Sequence, residues 1–226
     1  MLIENIPVSL DPNELIRHLR LGKYENAVRL VEELLETALP LIAPKAFYEI
    51  AYIDKKENDA VEIGGLSFRS RVLRKNLDPA ERVFPFVLTI GGRVEEKAGS
   101  SGDLLRQYYL ETIADLALLS AAAYLENYLK KHYGLSKISS MSPGSLPDWP
   151  VTEQKPLFAL LGDAEATIGV RLTESMMMIP RKSISGIYFP TEVSFFSCQL
   201  CQRERCPGRK AVFDETLKQT YGLAEE

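Results

Sequence analysis

Apolar residues recur at helical spacing in three stretches of the sequence. Asp11 precedes the first stretch, and an Asp followed by Pro is typical of the start of a helix. The second stretch begins near Tyr24. The third is the longest: residues 103–133 are rich in Leu, Ala and Tyr, and Gly134 is a natural stop signal. The pattern therefore predicts one long helix around residues 103–133.

Branched and aromatic residues dominate other stretches, as they do in β-strands. These predicted strands cover residues 47–53, 61–63, 66–68, 83–90, 167–172, 183–189 and 193–198. Gly64-Gly65 lies between the second and third of them and indicates a two-residue hairpin turn. The sequence therefore predicts two groups of strands, one before the long helix in the chain and one after it.

The order of these elements does not alternate strictly between strand and helix. This order favours an α+β fold, with mainly antiparallel sheets packed by helices, over a Rossmann fold. We expect a single domain over residues 1–226. Its parts are a helical and hairpin region (1–100), a central region that carries the motifs described below (103–197) and a C-terminal region (198–226).

Composition and charge narrow the function classes. Hydrophobic residues make up 46% of the chain and charged residues 26%, which is typical of a soluble globular protein. The formal net charge is −4, so no basic face for nucleic acid is expected. The most apolar stretch, residues 110–129, is interrupted by charges, and the first residues do not resemble a signal peptide. We therefore expect a cytoplasmic protein without a membrane role.

All three cysteines of the chain fall within nine residues, as Cys198, Cys201 and Cys206. A reducing compartment favours metal ligation over disulfides, and two thiolates separated by two residues can bind one metal ion. Iron–sulfur clusters use similar spacings. The sequence therefore predicts a zinc ion or an iron–sulfur cluster, with the fourth ligand open. The alternatives are a redox dithiol and unmodified cysteines.

Several motifs follow one another in the second half of the chain. They are SPG at 142–144, DWP at 148–150, TEQKPLFALL at 152–161 and IGVRLTESMMMIPRKSISGIYF at 168–189. Together they resemble the C-terminal activation domain of cobalamin-dependent methionine synthase, where a Pro-Gly-Tyr loop precedes a Leu-Thr-Glu-Ser segment and a Ser-x-Ser-Gly-x-Tyr-Phe strand. Small stand-alone proteins of anaerobes that share this domain are more similar still. The resemblance is clear over about residues 103–189.

The resemblance implies a function in corrinoid chemistry. In that family the domain binds S-adenosylmethionine and caps cobalamin during reductive reactivation, in which an external donor reduces the oxidised cobalt and methyl transfer traps it. The implied partner is a corrinoid-binding protein or a methyltransferase subunit, which brings the cobalamin. The candidate cofactor-binding residues are Ser140, Pro143, Gly144, Ser145, Glu174, Lys182, Ser183 and Ser185. For Glu174 and Lys182 the alternative is a solvated charge.

Two positions depart from the family pattern. The family has an Arg three residues before the Pro of the loop, and Pro143 puts that position at Ser140. The Tyr of the loop corresponds to Ser145. A serine cannot replace a bidentate contact between Arg and a carboxylate. We therefore predict weak or absent binding of S-adenosylmethionine.

Three functions follow from these observations. The first is an accessory protein in the reductive reactivation of a corrinoid. The second is a methyl donor to cobalamin that uses S-adenosylmethionine, as part of a methionine synthase complex. The third is a metal-binding scaffold without catalysis. Because reactivation needs low-potential electrons, the first function favours an iron–sulfur cluster at the cysteines.

Overall fold

The computed structural model describes residues 1–22, 24–206 and 209–223. Its α-helices are α1 (Pro12–His18), α2 (Glu25–Ala38), α3 (Arg71–Asn76), α4 (Arg93–Gly99), α5 (Leu104–His132), α6 (Gln154–Leu161), α7 (Ala164–Ile168) and α8 (Glu215–Thr220). Its strands are β1 (Leu2–Ile3), β2 (Lys45–Tyr48), β3 (Ala51–Lys56), β4 (Ala60–Ile63), β5 (Leu66–Arg69), β6 (Arg82–Thr89), β7 (Ile138–Met141), β8 (Arg171–Leu172), β9 (Met178–Ile179) and β10 (Ser183–Pro190). Short 3-10 turns cover Leu39–Leu41, Val151–Glu153 and Ser197–Gln199.

Two helices, α1 and α3, begin at capping side chains. The side chain of Asp11 accepts a hydrogen bond from the backbone N–H of Asn13 at 2.9 Å and so caps α1. Ser70 caps α3 in the same way through the N–H of Leu73. The predicted long helix is confirmed as α5. Its buried positions follow helical spacing along one side; they include Leu110, Ile113, Ala114, Ala117, Ala121, Leu125 and Leu129.

One sheet contains eight strands, and β8 pairs with β9 in a separate two-stranded sheet. The order along the large sheet is β1-β2-β6-β3-β4-β5, and β10 pairs with both β6 and β7. The pairs β1–β2, β3–β4, β3–β6, β4–β5, β7–β10 and β8–β9 are antiparallel. These pairings and the helices confirm the predicted α+β class.

The hairpin between β4 and β5 turns at the two glycines that predicted it. Gly64 and Gly65 both have positive φ, at 57° and 76°, which glycine adopts without steric cost. The register pairs Ile63 with Leu66 and Val61 with Phe68. Val61, Ile63 and Phe68 are fully buried, so one face of the hairpin contributes to the core.

The chain forms two compact units, each assembled from three separate stretches. The first unit consists of Met1–Phe47, Val87–Tyr128 and Ala164–Ile184. The second consists of Tyr48–Phe86, Leu129–Asp163 and Ser185–Glu226. Neither unit corresponds to a continuous part of the sequence, and the division into regions 1–100, 103–197 and 198–226 stays a prediction.

Each unit has its own buried contacts. In the first, Ser120 accepts a hydrogen bond from the backbone N–H of Ser9 at 3.1 Å, and Val31 and Leu34 of α2 are buried. In the second, the rings of Phe84 and Tyr133 pack with their centroids 4.7 Å apart. Within the described part of the chain, no helix is both long enough and apolar enough to cross a membrane.

Candidate functional site

The motif loop of the second unit, residues 142–149, leaves β7 and closes on itself. The backbone N–H of Gly144 donates to the carbonyl of Trp149 at 2.7 Å, and the N–H of Ser145 donates to the carbonyl of Ser142 at 3.1 Å. Gly144 has a φ of 84°, a conformation that favours glycine. The SPG motif therefore forms a tight turn whose tip is exposed to solvent.

The strand motif SISGIYF forms β10 and packs directly beside this loop. Ser140 of β7 is paired with Tyr188 of β10, whose ring stacks on that of Phe86 with the centroids 4.4 Å apart. A β-carbon at Gly186 would overlap the carbonyl oxygen of Met141 and lie 2.9 Å from the hydroxyl oxygen of Ser142. Only glycine lets β10 approach the start of the loop this closely.

A buried carboxylate fastens the other end of the loop. The side chain of Asp148 is 7% exposed. Its Oδ2 accepts hydrogen bonds from the Ser70 hydroxyl at 2.5 Å and from the backbone N–H of Val72 at 3.0 Å. Its Oδ1 lies 3.2 Å from Nε of Arg71. The DWP motif therefore ties the loop to the first turn of α3.

Trp149 is the buried centre of the loop. It is 0% exposed, and its indole N–H is the buried side-chain polar group that has no hydrogen-bond partner among the residues described. Pro143 is also buried, whereas Gly144 and Ser145 are exposed. The loop thus has an apolar base and a small, polar tip.

The tip of the loop belongs to a mixed surface that we call the loop face, formed by Gly144, Ser145, Val151, Phe196 and Ser197. The Ser145 hydroxyl donates to the carbonyl of Ser142 at 2.6 Å and lies 3.3 Å from the hydroxyl of Ser197. A β-carbon on Gly144 would lie 3.3 Å from Cβ of Val151. Val151 and Phe196 are 43% and 40% exposed, so this surface offers both hydroxyl groups and apolar side chains.

Ser185, the last candidate in the second unit, is buried within β10. Its hydroxyl donates to Oε1 of Gln154 at 3.4 Å. Four of the predicted cofactor residues thus follow one another along β7 and its loop: Ser140, Pro143, Gly144 and Ser145. Ser185 lies on β10, the strand paired with β7.

The other candidates belong to the first unit. Glu174 is exposed at the turn between β8 and β9. Hydrogen bonds of Thr173 close this turn: its N–H donates to the carbonyl of Met177 at 2.8 Å, and its Oγ1 accepts from the Met177 N–H at 3.0 Å. Ser183 is buried, and its hydroxyl donates to Oγ1 of Thr89 and to the carbonyl of Pro180. Within the first unit, the bonds of Thr173 and Ser183 stabilise the backbone of this segment, and the side chain of Glu174 is exposed to solvent.

Lys182 lies in a network of charges. Its Nζ is 2.6 Å from Oε2 of Glu111 and 2.7 Å from Oδ1 of Asp115, and Arg181 bonds both Glu111 and Glu95. Burial acts to lower the pKa of Lys182, but the bonds to Asp115 and Glu111 outweigh it, so that pKa lies above its ordinary value of 10.5. Burial acts to raise the pKa of Glu111, and the bonds from Lys182 and Arg181 bring it below 4.5. Lys182 is a paired cation in this unit rather than a solvated one.

This network predicts a dependence of stability on pH. Because the folded pKa of Glu111 is lowered, its contribution is complete above its unfolded pKa and is lost as the pH falls through the folded value. The raised pKa of Lys182 acts in the opposite direction. Its contribution to stability is complete below its unfolded pKa and is lost only as the pH rises through the folded value. Urea unfolding of the native protein and of Glu111→Gln should therefore differ most near neutral pH. The difference should shrink as the pH falls below about 5; a difference that stays constant as the pH falls would contradict the prediction.

The three cysteines follow the loop face in the chain. Each is free and half-buried. Within the described residues, no group of three or more His, Cys, Asp or Glu side chains is arranged to hold a metal ion. The guanidinium of Arg209 donates hydrogen bonds to the backbone carbonyls of Cys198 and Cys201. The metal site stays a prediction.

Two residues of the loop region were not predicted from the sequence. Asp148 was noted only as part of a motif, because its partners in α3 are more than 70 residues away along the chain. Gly186 was part of the strand motif, and its role depends on how closely β7 and β10 approach each other. Both roles depend on tertiary contacts that local pattern does not encode.

The model of the family described as "Vitamin B12 dependent methionine synthase, activation domain" matches residues 72–209, which extends the resemblance beyond 103–189 in both directions. The crystal structure of the MetH reactivation domain bound to AdoHcy is similar, with a TM-score of 0.64 and 18% sequence identity; the match covers 87% of this chain and 80% of that one. No curated protein sequence matches the chain.

Proposed function

Because this chain belongs to the family of activation domains of vitamin B12 dependent methionine synthases, we propose that it acts in the reductive reactivation of a corrinoid carried by a partner protein. The corrinoid, when bound by the partner, supplies the redox and methyl-transfer chemistry. The task of this chain is to bind that partner and cover the corrinoid. A cytoplasmic location fits this proposal.

The observation that carries the proposal is that two motifs of the family fold against each other. The SPG turn leaves β7, and the SISGIYF strand forms β10 beside it, with Gly186 allowing the close approach. The SPG turn and residues 185–189 of the strand motif therefore lie side by side in the second unit, and the tip of the turn is exposed. An exposed loop that is held by its own hydrogen bonds suits a docking surface, because little conformational entropy is lost on binding.

The loop face is the part of this loop that we propose to contact the corrinoid. A corrin ring is an apolar plane with polar amide side chains at its edge. Val151 and Phe196 provide exposed apolar area, and the hydroxyls of Ser145 and Ser197 provide hydrogen-bonding groups beside it. Burying both kinds of surface together is typical of cofactor sites.

S-adenosylmethionine fits this loop poorly. Its methionyl carboxylate needs a charged partner, and Ser140 and Ser145 provide only hydroxyl groups. The Ser145 hydroxyl is moreover bonded to the carbonyl of Ser142. We therefore derive no methyl-donor step for this chain, and the proposed role is that of an accessory to reduction.

The poor fit gives a binding prediction. Isothermal titration of the native protein with S-adenosylmethionine should show a Kd weaker than about 1 μM, the affinity that corresponds to about −8 kcal/mol. The double variant Ser140→Arg/Ser145→Tyr should bind at least about tenfold more tightly, because it gains a cation for the carboxylate and an aromatic surface. Ser140→Lys/Ser145→Tyr is the matched control, since Lys keeps the charge but cannot form the bidentate contact. Submicromolar binding by the native protein would contradict the prediction.

Reactivation itself can be tested with a defined partner. The probe is the cobalamin-binding domain of a methionine synthase loaded with cob(II)alamin, with titanium(III) citrate as electron donor and iodomethane as methyl source. We expect the chain to accelerate formation of methylcobalamin, followed by visible absorption, and to form a complex in sedimentation velocity. An unchanged rate together with no complex would refute the proposed function.

Variants locate the contact. Phe196→Asp places a charge on the loop face and should abolish most of the acceleration, because the charge must lose its hydration on docking. Leu104→Asp is the control, since Leu104 is an 85% exposed apolar residue of the first unit. Equal losses in both variants would show that the loop face is not the docking surface.

A further inference from the structure

A cavity of about 430 Å³ opens on the surface of the second unit, between the start of β3 and the end of α6. This volume lies within the range of pockets that bind small molecules. Its wall contains two carboxylates, one aromatic ring and two aliphatic side chains, those of Glu49, Asp54, Tyr52, Ile50 and Leu160. Of the described residues that line it, none is a lysine, an arginine or a histidine. The cavity is therefore partly apolar and negatively charged.

The ring of Tyr52 is the aromatic part of this wall. Tyr52 is paired with Arg82 of β6, and its side chain is 63% exposed. The guanidinium of Arg82 lies over the rings of Phe84 and Tyr133, 5.9 Å and 5.5 Å from their centroids. These contacts of Arg82 leave the ring of Tyr52 to the cavity. An aromatic ring attracts a cation to its face because its π electrons carry partial negative charge.

A β-bulge places the carboxylate of Asp54 in the same cavity. The register of β3 with β4 shifts between Ile53 and Lys55, so Asp54 is an extra residue of β3. Bulges of this kind redirect a side chain, often next to a binding site. Oδ2 of Asp54 accepts a hydrogen bond from the backbone N–H of Gly65 at 2.8 Å, which fixes the carboxylate. The adjacent cation, Lys55, is paired with Glu57 at 2.7 Å.

The end of α6 closes the cavity and adds to its negative potential. A β-carbon on Gly64 would lie 2.8 Å from Cδ1 of Leu160, so the hairpin and the last turn of α6 are in close contact. The helix ends at Leu161, and the N–H of Gly162 donates to the carbonyl of Phe158 at 3.0 Å. The C-terminal end of a helix carries partial negative charge and favours a cation nearby. Backbone and side chains of the cavity therefore favour the same sign of ligand charge.

We propose that this cavity binds a small organic cation with an alkylated ammonium group, such as a trimethylammonium compound. The methyl groups of such a cation spread its charge and contact apolar and aromatic surface, which Ile50, Leu160 and Tyr52 provide. The carboxylates of Asp54 and Glu49 balance the charge. A hard metal ion would instead need about six oxygen ligands or more, and no group of three such acidic side chains is arranged for one within the described residues.

Calorimetry with the native protein tests the charge and the shape of the ligand. The probe is choline, and 3,3-dimethylbutan-1-ol is its neutral counterpart of the same shape. We expect choline to bind with a Kd below about 10 mM and at least about tenfold more tightly than the alcohol, because only the cation is attracted to the ring and the carboxylates. Potassium chloride at the same concentration as choline should not displace it. A Kd above about 10 mM, equal binding of the two probes, or displacement by potassium would overturn the proposal.

Variants of the ring assign this binding to the cavity. Tyr52→Ala should bind choline about tenfold more weakly than the native protein, whereas Tyr52→Phe should bind it equally well because the ring is retained. Tyr24→Ala is the matched control, since Tyr24 is a 65% exposed tyrosine of the first unit. The urea midpoint of each variant separates loss of the ligand from loss of the fold. A folded Tyr52→Ala variant that binds choline like the native protein, or an equal loss in Tyr24→Ala, would refute the site.

A second variant tests the charge. Asp54→Asn keeps an oxygen acceptor for the N–H of Gly65 and removes the negative charge, so it should bind choline more weakly while the affinity for the neutral alcohol stays unchanged. Asp78→Asn, which removes a carboxylate paired with Arg74, should bind choline like the native protein. Equal affinities of Asp54→Asn and the native protein for choline would overturn the role of this carboxylate. No corrinoid is present in these titrations, so their outcome is independent of the reactivation assay.

Discussion

Gly186→Ala should lower the free energy of unfolding by about 3 kcal/mol, although it adds only one methyl group. The new β-carbon would overlap the carbonyl oxygen of Met141, and it would lie 2.9 Å from the hydroxyl oxygen of Ser142 and 3.1 Å from the ring of Phe86. The first of these neighbours is backbone and cannot rotate away. The paired strands β7 and β10 would have to separate, and the start of the motif loop would move with them.

Urea denaturation measures this loss, and Gly99→Ala provides the control. Gly99 ends α4 and has no atom within 4 Å of the position of a β-carbon. Alanine there should be neutral or stabilising, by up to about 1 kcal/mol, because it restricts the unfolded chain. If Gly186→Ala unfolds at the same urea concentration as the native protein, the close approach of the two strands is not a constraint.

Asp148→Ala should lower the free energy of unfolding by about 3 kcal/mol, because the buried carboxylate is an acceptor for three groups. Its removal leaves the Ser70 hydroxyl and the Val72 N–H without their acceptor and breaks the contact with Arg71. The first turn of α3 and the motif loop would both loosen. Urea denaturation gives the magnitude, and hydrogen exchange of the Val72 amide locates the change.

Two variants control for charge and for shape. Asp78→Ala removes a half-exposed carboxylate paired with Arg74, and exposed pairs contribute at most about 1 kcal/mol. Asp148→Asn keeps the shape and one acceptor oxygen, so its loss should be smaller than that of Asp148→Ala. Equal losses for Asp78→Ala and Asp148→Ala would show that burial of Asp148 is not decisive.

The elements with strong local signals were predicted correctly from the sequence. The long helix was placed within one residue at each end, because its apolar spacing and stop signal are both local. The hairpin at Gly64-Gly65 was predicted by its turn residues. The strand expected at 183–189 is confirmed as β10, which extends by one residue to Pro190.

Two other predicted strands are wrong, because tertiary contacts and not local pattern decide the structure of those segments. The segment 193–198 was expected to be a strand, but a 3-10 turn covers Ser197–Gln199. Phe195 packs edge-on against Tyr221 with the ring centroids 5.7 Å apart, so its apolar character serves a packing contact and not a sheet. The strand expected at 167–172 is the helix α7 and a two-residue strand. Short apolar runs do not distinguish these outcomes.

In the candidate site, too, local features could be predicted from the sequence and tertiary contacts could not. The motif residues along β7 and its loop could be named from the sequence because they are contiguous. Their partners could not, since Ser70 and Asp148 lie 78 residues apart. The network of Lys182 likewise joins it to Glu111 and Asp115 of α5, and a pair of bases at a strand start gives no sign of those partners.

The buried position of Trp149 gives this protein a built-in optical reporter. It is the only tryptophan of the chain, and it is fully buried with its indole N–H unbonded among the described residues. An indole in such apolar surroundings should emit at short wavelength, and water or a new hydrogen-bond acceptor should shift that emission to the red. Since the backbone of Trp149 is bonded to Gly144 at the tip of the loop, a ligand that moves the tip should change the fluorescence of the native protein without any added label.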